Sequence, residues 1–257
     1  MSKIIIITVV LLSGLVSCSS GGAQNVQAQV ANYSVNIKSK FTAAEYPIHV
    51  YLPPSYSVES SRYFPIIYVT DGQWYFAMVK QMLEEKGLQV ILVGVEEGEK
   101  NRRLIDYKMP GAIEYHHFFT KELMPLVEKK YRVDVSRRTI VGASYGGLFV
   151  GICMLFDGQN TQLFQDYWAF DGSFFELASA ASRALVGSQS LNTKLKGRLI
   201  LTGATKMGND ASVSGFEAFI RPIFPNLNIN RIAFPVSHEE AVIPSFTASI
   251  NELKAIE

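Results

Sequence analysis

Ser144 is the residue that the sequence marks most clearly as reactive, because it lies at the centre of a Gly-x-Ser-x-Gly motif that runs from Gly142 to Gly146. The apolar, β-branched residues before the motif predict a buried strand, and the apolar pattern after it predicts a helix. At such a strand-to-helix turn, the serine hydroxyl projects above the sheet as a nucleophile. The glycines leave room for the turn, and the first turn of the helix directs N–H groups at a developing oxyanion. The alternative interpretation is a tight turn with a surface serine.

A serine hydroxyl is a weak nucleophile, so it needs a neighbouring base, which is usually a histidine. Where a nucleophile follows a strand in this way, the acid and then the histidine come later in the chain. His238 alone among the four histidines lies beyond Ser144, and it comes just after the last predicted strand. We therefore predict His238 as the base, with a solvated loop histidine as the alternative. His49 fits a strand, and His116 and His117 fit a helix start, so these three are interpreted as structural.

The sequence offers two carboxylates that would orient the imidazole of His238. Asp210 is favoured, because it lies in the loop after the strand that should precede the histidine strand, the usual position for this acid. Asp171 follows the previous strand, a second place from which an acid can reach the same ring. A Ser–His dyad without a carboxylate remains open, and each aspartate has the alternative role of a solvated loop residue.

An oxyanion hole needs two N–H groups. The backbone N–H of Tyr145, directly after the nucleophile, is predicted as one of them. Gln73 is predicted as the other, because the Asp-Gly turn before it follows a buried strand and would direct its N–H at the site. Trp74 would line an acyl or aromatic pocket, although aromatic clusters are more often part of the core. Arg102 and Arg103 would contact substrate oxygens or form a surface ion pair.

Strands alternate with helices along the chain, which predicts an α/β fold with a mostly parallel central sheet and helices on both faces. The first two strands have alternating patterns and are predicted as an antiparallel pair, and residues 96–111 as a long loop at the sheet edge. The predicted strands are 33–40, 46–53, 63–70, 88–95, 138–143, 167–170, 199–202 and 232–235, and the predicted helices are 73–85, 112–131, 147–156 and 244–256.

Composition excludes several classes of protein. Of the 257 residues, 48% are hydrophobic and 18% are charged, which excludes a disordered chain. Without residues 1–17, which contain one lysine and no acid, basic and acidic residues are equal in number, and no basic patch suggests nucleic acid. Cys153 falls on the apolar face of a helix, so we expect it to be buried and free. A disulfide-stapled fold is excluded, and no metal or organic cofactor is expected.

The N-terminus is typical of an export signal. Lys3 precedes an apolar stretch, 4–16, that is too short to span a bilayer. The sequence Leu-Val-Ser-Cys at 15–18 resembles a bacterial lipobox, which implies cleavage after residue 17 and a lipid on Cys18. The alternative is an ordinary secretory signal that is cut near residue 23 or 28. Either alternative takes the protein out of the cytoplasm, to the periplasm or the cell surface.

The chain is thus expected to have three parts. Residues 1–17 form a lipoprotein signal peptide, 18–32 form a lipidated flexible tether, and 33–257 form one α/β domain without internal repeats. The membrane would be contacted through the N-terminal lipid only.

Five segments together resemble an esterase family of α/β-hydrolases that contains esterase D, feruloyl esterases and the enterochelin (siderophore trilactone) esterases. The segments are 65–73, 103–107, 119–127, 141–149 and 237–239 with Pro244. The sequence Gly-x-Ser-Tyr-Gly-Gly-Leu-Phe is most similar to that of the siderophore esterase branch. The resemblance implies that Ser144 is the nucleophile, that His238 is the base, and that Arg102 or Arg103 contacts ester carbonyls. The chain departs from the family at Ala143, often a histidine, at 171–173, often Ser-Pro-Ser, and at Lys206, where an acid is usual.

The motifs and the resemblance together predict an extracytoplasmic serine esterase that acts through an acyl-enzyme on a small-molecule ester. A siderophore-type trilactone is the favoured substrate, and a carbohydrate ester with acetyl or feruloyl groups is the alternative. A non-catalytic lipoprotein that captures a ligand and an acyltransferase are the competing classes of function.

Overall fold

The computed structural model describes residues 32–159, 161–178 and 194–254. Within these residues, eight strands form one sheet in the order β1-β2-β4-β3-β5-β6-β7-β8. The strands are β1 (Asn32–Lys38), β2 (Glu45–Tyr51), β3 (Phe64–Thr70), β4 (Ile91–Val95), β5 (Val133–Ala143), β6 (Asp166–Phe170), β7 (Gly197–Ala204) and β8 (Leu227–Phe234).

Strand pairing confirms the predicted antiparallel start and the mostly parallel sheet. β2 is antiparallel to both β1 and β4, whereas β4, β3, β5, β6, β7 and β8 run parallel to one another. In the centre, Val141 of β5 lies opposite Val69 of β3 and Trp168 of β6. The loops that follow the parallel strands therefore meet at one edge of the sheet, where α/β proteins bind ligands.

Helices cover both faces of the sheet. They are α1 (Gly72–Glu85), α2 (Arg103–Asp106), α3 (Gly111–His117), a π-helical segment (Phe118–Leu123), α4 (Met124–Lys130), α5 (Tyr145–Asp157), α6 (Asp210–Ile220) and α7 (Val242–Lys254). Alternate residues of β3 enter different cores: Ile66 packs with residues of α3 to α6, and Ile67 packs with residues of α1 and α7. Two-sided burial explains why the central strands are continuous apolar runs. Cys153 of α5 is buried and free, as predicted.

Several element boundaries differ from the prediction; β8, for example, begins at Leu227 instead of residue 232. The loop 96–111 contains the short helix α2, and β5 begins at Val133 instead of Arg138. The helix predicted at 112–131 contains the π-helical segment. Pro125 follows that segment in the first turn of α4. Proline has no N–H to donate to the preceding turn, so a change of helical pitch just before it loses little.

The N-terminal predictions fall largely outside the described residues. The structure does not describe the signal peptide at 1–17, Cys18 or most of the tether at 18–32. Of the tether, only Asn32, at the start of β1, is described. None of the helices in the described ranges has the length and apolar character that a bilayer-crossing helix needs.

Candidate active site

Ser144 connects the end of β5 to the start of α5 in a strained conformation. Its φ is 58° and its ψ is −119°, a combination that a residue with a side chain rarely adopts. Its N–H donates to the carbonyl of Phe170 at 2.9 Å. Its carbonyl accepts hydrogen bonds from Leu148 at 3.0 Å and Ser173 at 3.1 Å. Strain that is held in place from both β6 and α5 is typical of a functional residue.

The two motif glycines are required by close packing of the backbone around Ser144. A Cβ on Gly142 would lie 2.5 Å from the carbonyl carbon and oxygen of Gly146. It would also lie 2.5 Å from Oγ1 of Thr70, and a Cβ on Gly146 would meet the same atom at 2.5 Å. The Gly-x-Ser-x-Gly sequence therefore has the role in the turn that its spacing predicts.

Asp171 is the carboxylate that contacts His238. Oδ2 of Asp171 lies 2.5 Å from Nδ1 of His238. The other oxygen, Oδ1, accepts hydrogen bonds from the N–H groups of Ala204 at 2.7 Å and Asn209 at 3.0 Å. The Asp171 side chain is buried, whereas 38% of the His238 side chain is exposed. A buried, fixed carboxylate against one ring nitrogen leaves the other nitrogen available for proton transfer.

This contact changes the acidity of the imidazole. The hydrogen bond to Asp171 raises the pKa of His238 above its ordinary value, and the negative charges of Asp171 and Glu239 act in the same direction. Partial burial and the positive charge of Arg103 oppose this rise in the pKa. The net effect favours the imidazolium, which is the form that His238 takes after it accepts a proton.

The preference for Asp210 as the orienting acid is wrong on this geometry. Asp210 is the first residue of α6, and its carboxylate forms an ion pair with Arg231 of β8. The loop before α6 instead supplies the N–H of Asn209 to Asp171. The β7–α6 loop thus contributes groups that hold Asp171, which itself follows β6.

The N–H groups predicted for the oxyanion hole both lie at helix starts. Tyr145 is the first residue of α5, and Gln73 is the second residue of α1. N–H groups in the first turn of a helix have no acceptor within that helix, so they are available to an anion. The Gln73 side chain is tied to the loop after β4, because its Oε1 accepts the N–H of Glu97 at 3.1 Å.

One cavity of about 330 Å³ brings several of the predicted side chains together, but not those of Asp210, Arg102, Gln73 or Tyr145. Ser144, Asp171 and His238 all contribute to its wall, and the rest of the wall is largely apolar. The other lining residues are Trp74, Tyr75, Arg103, Ala143, Phe170, Glu239, Ala241 and Val242. A mostly apolar cavity with a few converging polar groups is typical of a small-molecule site.

The two arginines have different surroundings. Arg103 lies in the cavity wall and forms two hydrogen bonds of 2.9 Å with the buried carboxylate of Asp71. Arg102 is not among the residues that line this cavity. Its guanidinium pairs with Asp106 at 2.9 Å and donates to the carbonyl of Thr42 at 2.9 Å. Of the two, Arg103 is the one positioned to contact a ligand.

The Arg103–Asp71 pair was not recognised from the sequence. Burial raises the pKa of Asp71, and the bidentate contact with Arg103 opposes that rise. Asp71 also has a left-handed backbone, with φ of 55°, at the start of α1. The sequence pattern predicts Asp71 only as part of the turn that directs the N–H of Gln73. Its ionic partner lies 32 positions later, beyond any local pattern.

The other three histidines have structural surroundings. His49 lies between the hydroxyl of Ser34 at 2.8 Å and the carboxylate of Glu96 at 2.6 Å. Burial lowers the pKa of His116 to about 4, and His117 lies 3.8 Å from Glu114. Over the ranges that the structure describes, no group of three or more His, Cys, Asp or Glu side chains is arranged to hold a metal ion.

The family model described as "Putative esterase" matches residues 39–173, more than half of the chain. The chain belongs to this family. It is 29% identical over 147 residues to the uncharacterized protein YbbA of Bacillus subtilis (strain 168), across 49% of this chain and 56% of that protein. It is 24% identical over 133 residues to the ferri-bacillibactin esterase BesA of the same organism, across 40% and 46%. The chain thus matches about half the length of these curated relatives.

Solved structures share the fold of this family member. An IroE-like serine hydrolase from Shewanella oneidensis superposes with a TM-score of 0.73 at 20% identity, over 87% of this chain and 80% of that one. At this identity the similarity shows the fold alone. The eight-stranded, mostly parallel sheet is the α/β-hydrolase fold that the sequence predicts.

Proposed function

We propose that this family member is a serine esterase in which Ser144, His238 and Asp171 act together. His238 takes the hydroxyl proton of Ser144 as the serine oxygen attacks the ester carbonyl. The tetrahedral oxyanion accepts hydrogen bonds from the N–H groups of Tyr145 and Gln73. His238 then gives its proton to the leaving alcohol, which leaves an acyl-enzyme. A water molecule, deprotonated by His238, attacks that acyl group and releases the acid and free Ser144.

The observation that carries this proposal is the shared cavity. Ser144, in its strained conformation, faces the same space as a histidine whose Nδ1 is held by a buried carboxylate. These are the nucleophile, base and orienting acid that acyl transfer to a serine requires. A surface serine or a solvated loop histidine would not need this arrangement.

The substrate class that we propose is an ester of the siderophore trilactone type. The name of the relative BesA, a ferri-bacillibactin esterase, supports this class. The aromatic side chains of Trp74, Tyr75 and Phe170 in the cavity wall suit an aryl or hydroxy-acyl group. Trp74 is 54% exposed at this cavity, and an exposed aromatic ring also suits a sugar face. A carbohydrate ester with acetyl or feruloyl groups is therefore the second candidate substrate.

We further propose that the enzyme acts outside the cytoplasm, held to a membrane by a lipid on Cys18. The support is the apolar stretch at 4–16 and the Leu-Val-Ser-Cys sequence that follows it. The esterase domain at 33–257 would then reach its substrate from the tether at 18–32.

Hydrolysis of p-nitrophenyl acetate by the purified protein tests the proposal, with Ser144→Ala as the variant. Loss of the serine oxygen removes the acyl-enzyme route, so we expect kcat to fall by roughly 10³-fold or more. Circular dichroism of the variant should match that of the wild type. Near-wild-type turnover in the folded variant would refute the mechanism. Comparison of a trilactone, a feruloyl ester and an acetylated sugar then separates the substrate classes.

A further inference from the structure

An ion pair connects two loops beside the nucleophile turn. Nζ of Lys108, which follows α2, lies 3.0 Å from Oε1 of Glu176, in the turn Phe174–Ala178 after β6. About 30% of each side chain is exposed to solvent. A partly exposed pair of this kind contributes little to stability, so replacing one partner with another charged group costs little.

Both ends of this pair are fixed to the active site. Tyr107 directly precedes Lys108 in the sequence, and its hydroxyl accepts a hydrogen bond from the N–H of Asp71 at 3.2 Å. The N–H of Ser173 donates to the Ser144 carbonyl at 3.1 Å, and Glu176 in turn donates its N–H to Ser173. The pair therefore keeps a defined position relative to the nucleophile.

Positive charge is concentrated around the ring of Tyr145, the residue after the nucleophile. Nζ of Lys108 lies 5.3 Å from the ring centroid, and Cζ of Arg103 lies 5.6 Å from it. The start of α5 adds the positive end of its dipole at the same place. Asp71 engages the Arg103 guanidinium with both carboxylate oxygens, whereas the Lys108 ammonium has a partly exposed partner.

Negative charge lies in the cavity wall itself, whereas Lys108 lies beside the Tyr145 ring and is not among the residues that line the cavity. Glu239, next to His238, lines the cavity, and its charge reaches the His238 ring. A substrate that carries a carboxylate or phenolate would be repelled from this wall and attracted towards Lys108. The charge distribution thus orients an anionic ester more strongly than a neutral one.

We propose that Lys108 is a specificity residue that selects esters with an anionic substituent, and that Glu176 is the counter-ion which such a substrate displaces. This inference rests on the proposed esterase function and extends it to the charge of the substrate. It assigns a role to Lys108 in addition to that of Arg103, whose guanidinium is already bound by Asp71.

Two pairs of esters that differ in charge test the inference. One pair is para-acetoxybenzoate and its methyl ester, with the charge on the alcohol part. The other is the mono-para-nitrophenyl ester of glutaric acid and para-nitrophenyl butyrate, with the charge on the acyl part. The readout is the ratio of kcat/KM for the anionic ester to that for its neutral partner, measured at low and high salt.

We expect Lys108→Met to lower this ratio about three- to fivefold in at least one pair, the scale of one partly exposed charge pair. Glu176→Gln should raise the ratio in the same pair, because the lysine loses its competing partner. Lys80→Met is the matched control, since Lys80 pairs with Glu84 on α1, at 3.8 Å. High salt should reduce the wild-type preference, because exposed charges are screened.

The outcomes distinguish a failure of the role proposed for Lys108 from a failure of the proposed esterase function. An equal effect of Lys108→Met on charged and neutral esters, or no effect on either ratio, would overturn the selective role of Lys108. If the wild-type protein hydrolysed neither member of either pair, the esterase function itself would be contradicted, and this inference with it.

Discussion

The two carboxylate oxygens of Asp171 have different main contacts. Oδ1 accepts two backbone N–H groups, from Ala204 and Asn209, while Oδ2 contacts the ring of His238. The backbone donors fix the direction of the carboxylate. Asp171 can therefore hold one tautomer and one orientation of the imidazole.

Replacement of the two candidate acids distinguishes their roles. We expect Asp171→Asn to lower kcat roughly 10²- to 10⁴-fold, because the amide holds His238 poorly in the required tautomer. Asp210→Asn is the matched control, since it breaks only the ion pair with Arg231. Its kcat should stay near that of the wild type, with at most about 1 kcal/mol lost from the free energy of unfolding. The reverse ranking of the two variants in an ester hydrolysis assay would restore Asp210 as the acid.

The pH dependence of kcat/KM should report the raised pKa of His238. In the proposed mechanism neutral His238 is the base, so activity should fall as the pH drops through this pKa. Because the hydrogen bond to Asp171 raises the pKa, we expect the midpoint above the ordinary histidine value of 6.5. Glu239→Gln removes one of the charges that raise it, so the midpoint should move to lower pH. A wild-type midpoint below 6.5 would show that the Asp171 contact does not govern the titration.

At the scale of elements, the turn between β5 and α5 requires glycine, which has no side chain, at positions 142 and 146. The space that a Cβ on Gly142 would need is taken by the Gly146 backbone and the Thr70 hydroxyl. Because these neighbours belong to the central sheet and to the nucleophile turn, they cannot move without displacing Ser144.

Two glycine substitutions should change stability in opposite directions. Gly142→Ala should lower the free energy of unfolding by about 1–3 kcal/mol, because the added methyl group overpacks the turn. Gly215→Ala is the control, since nothing lies within 4 Å of a Cβ added at that position in α6. It should raise the free energy of unfolding by about 0.5–1 kcal/mol, because glycine is a poor helix former. Urea unfolding measures both, and equal effects of the two substitutions would contradict the packing argument.

Local sequence patterns were sufficient to predict some elements of the fold and the site, but not others. The buried strands and the nucleophile turn follow from apolar runs and a short motif, which depend on neighbouring residues only. The choice of Asp171 over Asp210 depends on Arg231, which attracts Asp210, and on Asn209, which holds Asp171. Such contacts join residues that are far apart in the chain. The π-helical segment was missed because its residues have the same apolar pattern as an α-helix.

At the scale of the whole molecule, the parallel strands bring every part of the site to one edge. Ser144 follows β5, Asp171 follows β6 and His238 comes after β8, while Gln73 comes after β3. A single cavity at this edge is lined by Ser144, His238 and Asp171, the proposed nucleophile, base and acid. The order of the strands in the sheet, which no local pattern contains, is what places these four positions together.

The N-terminal prediction concerns the location of the whole molecule. In cells that process lipoproteins, growth with radiolabelled palmitate should label the wild-type protein and place it in the membrane fraction. Cys18→Ser should lose the label, because the serine cannot form the thioether to the lipid. Cys153→Ser is the matched control and should keep the label, since Cys153 is buried in α5. Label in the Cys18→Ser protein would contradict lipidation at this position.

Covalent trapping of the nucleophile tests the central claim most directly. Diisopropyl fluorophosphate phosphorylates an activated serine, and intact-mass and peptide mass spectrometry locate the product. We predict one phosphoryl group per chain, on Ser144, with none on the Ser144→Ala protein and slower labelling of His238→Ala. An unmodified wild-type protein, or a label on a different residue that persists in Ser144→Ala, would contradict the assignment of Ser144 as the nucleophile.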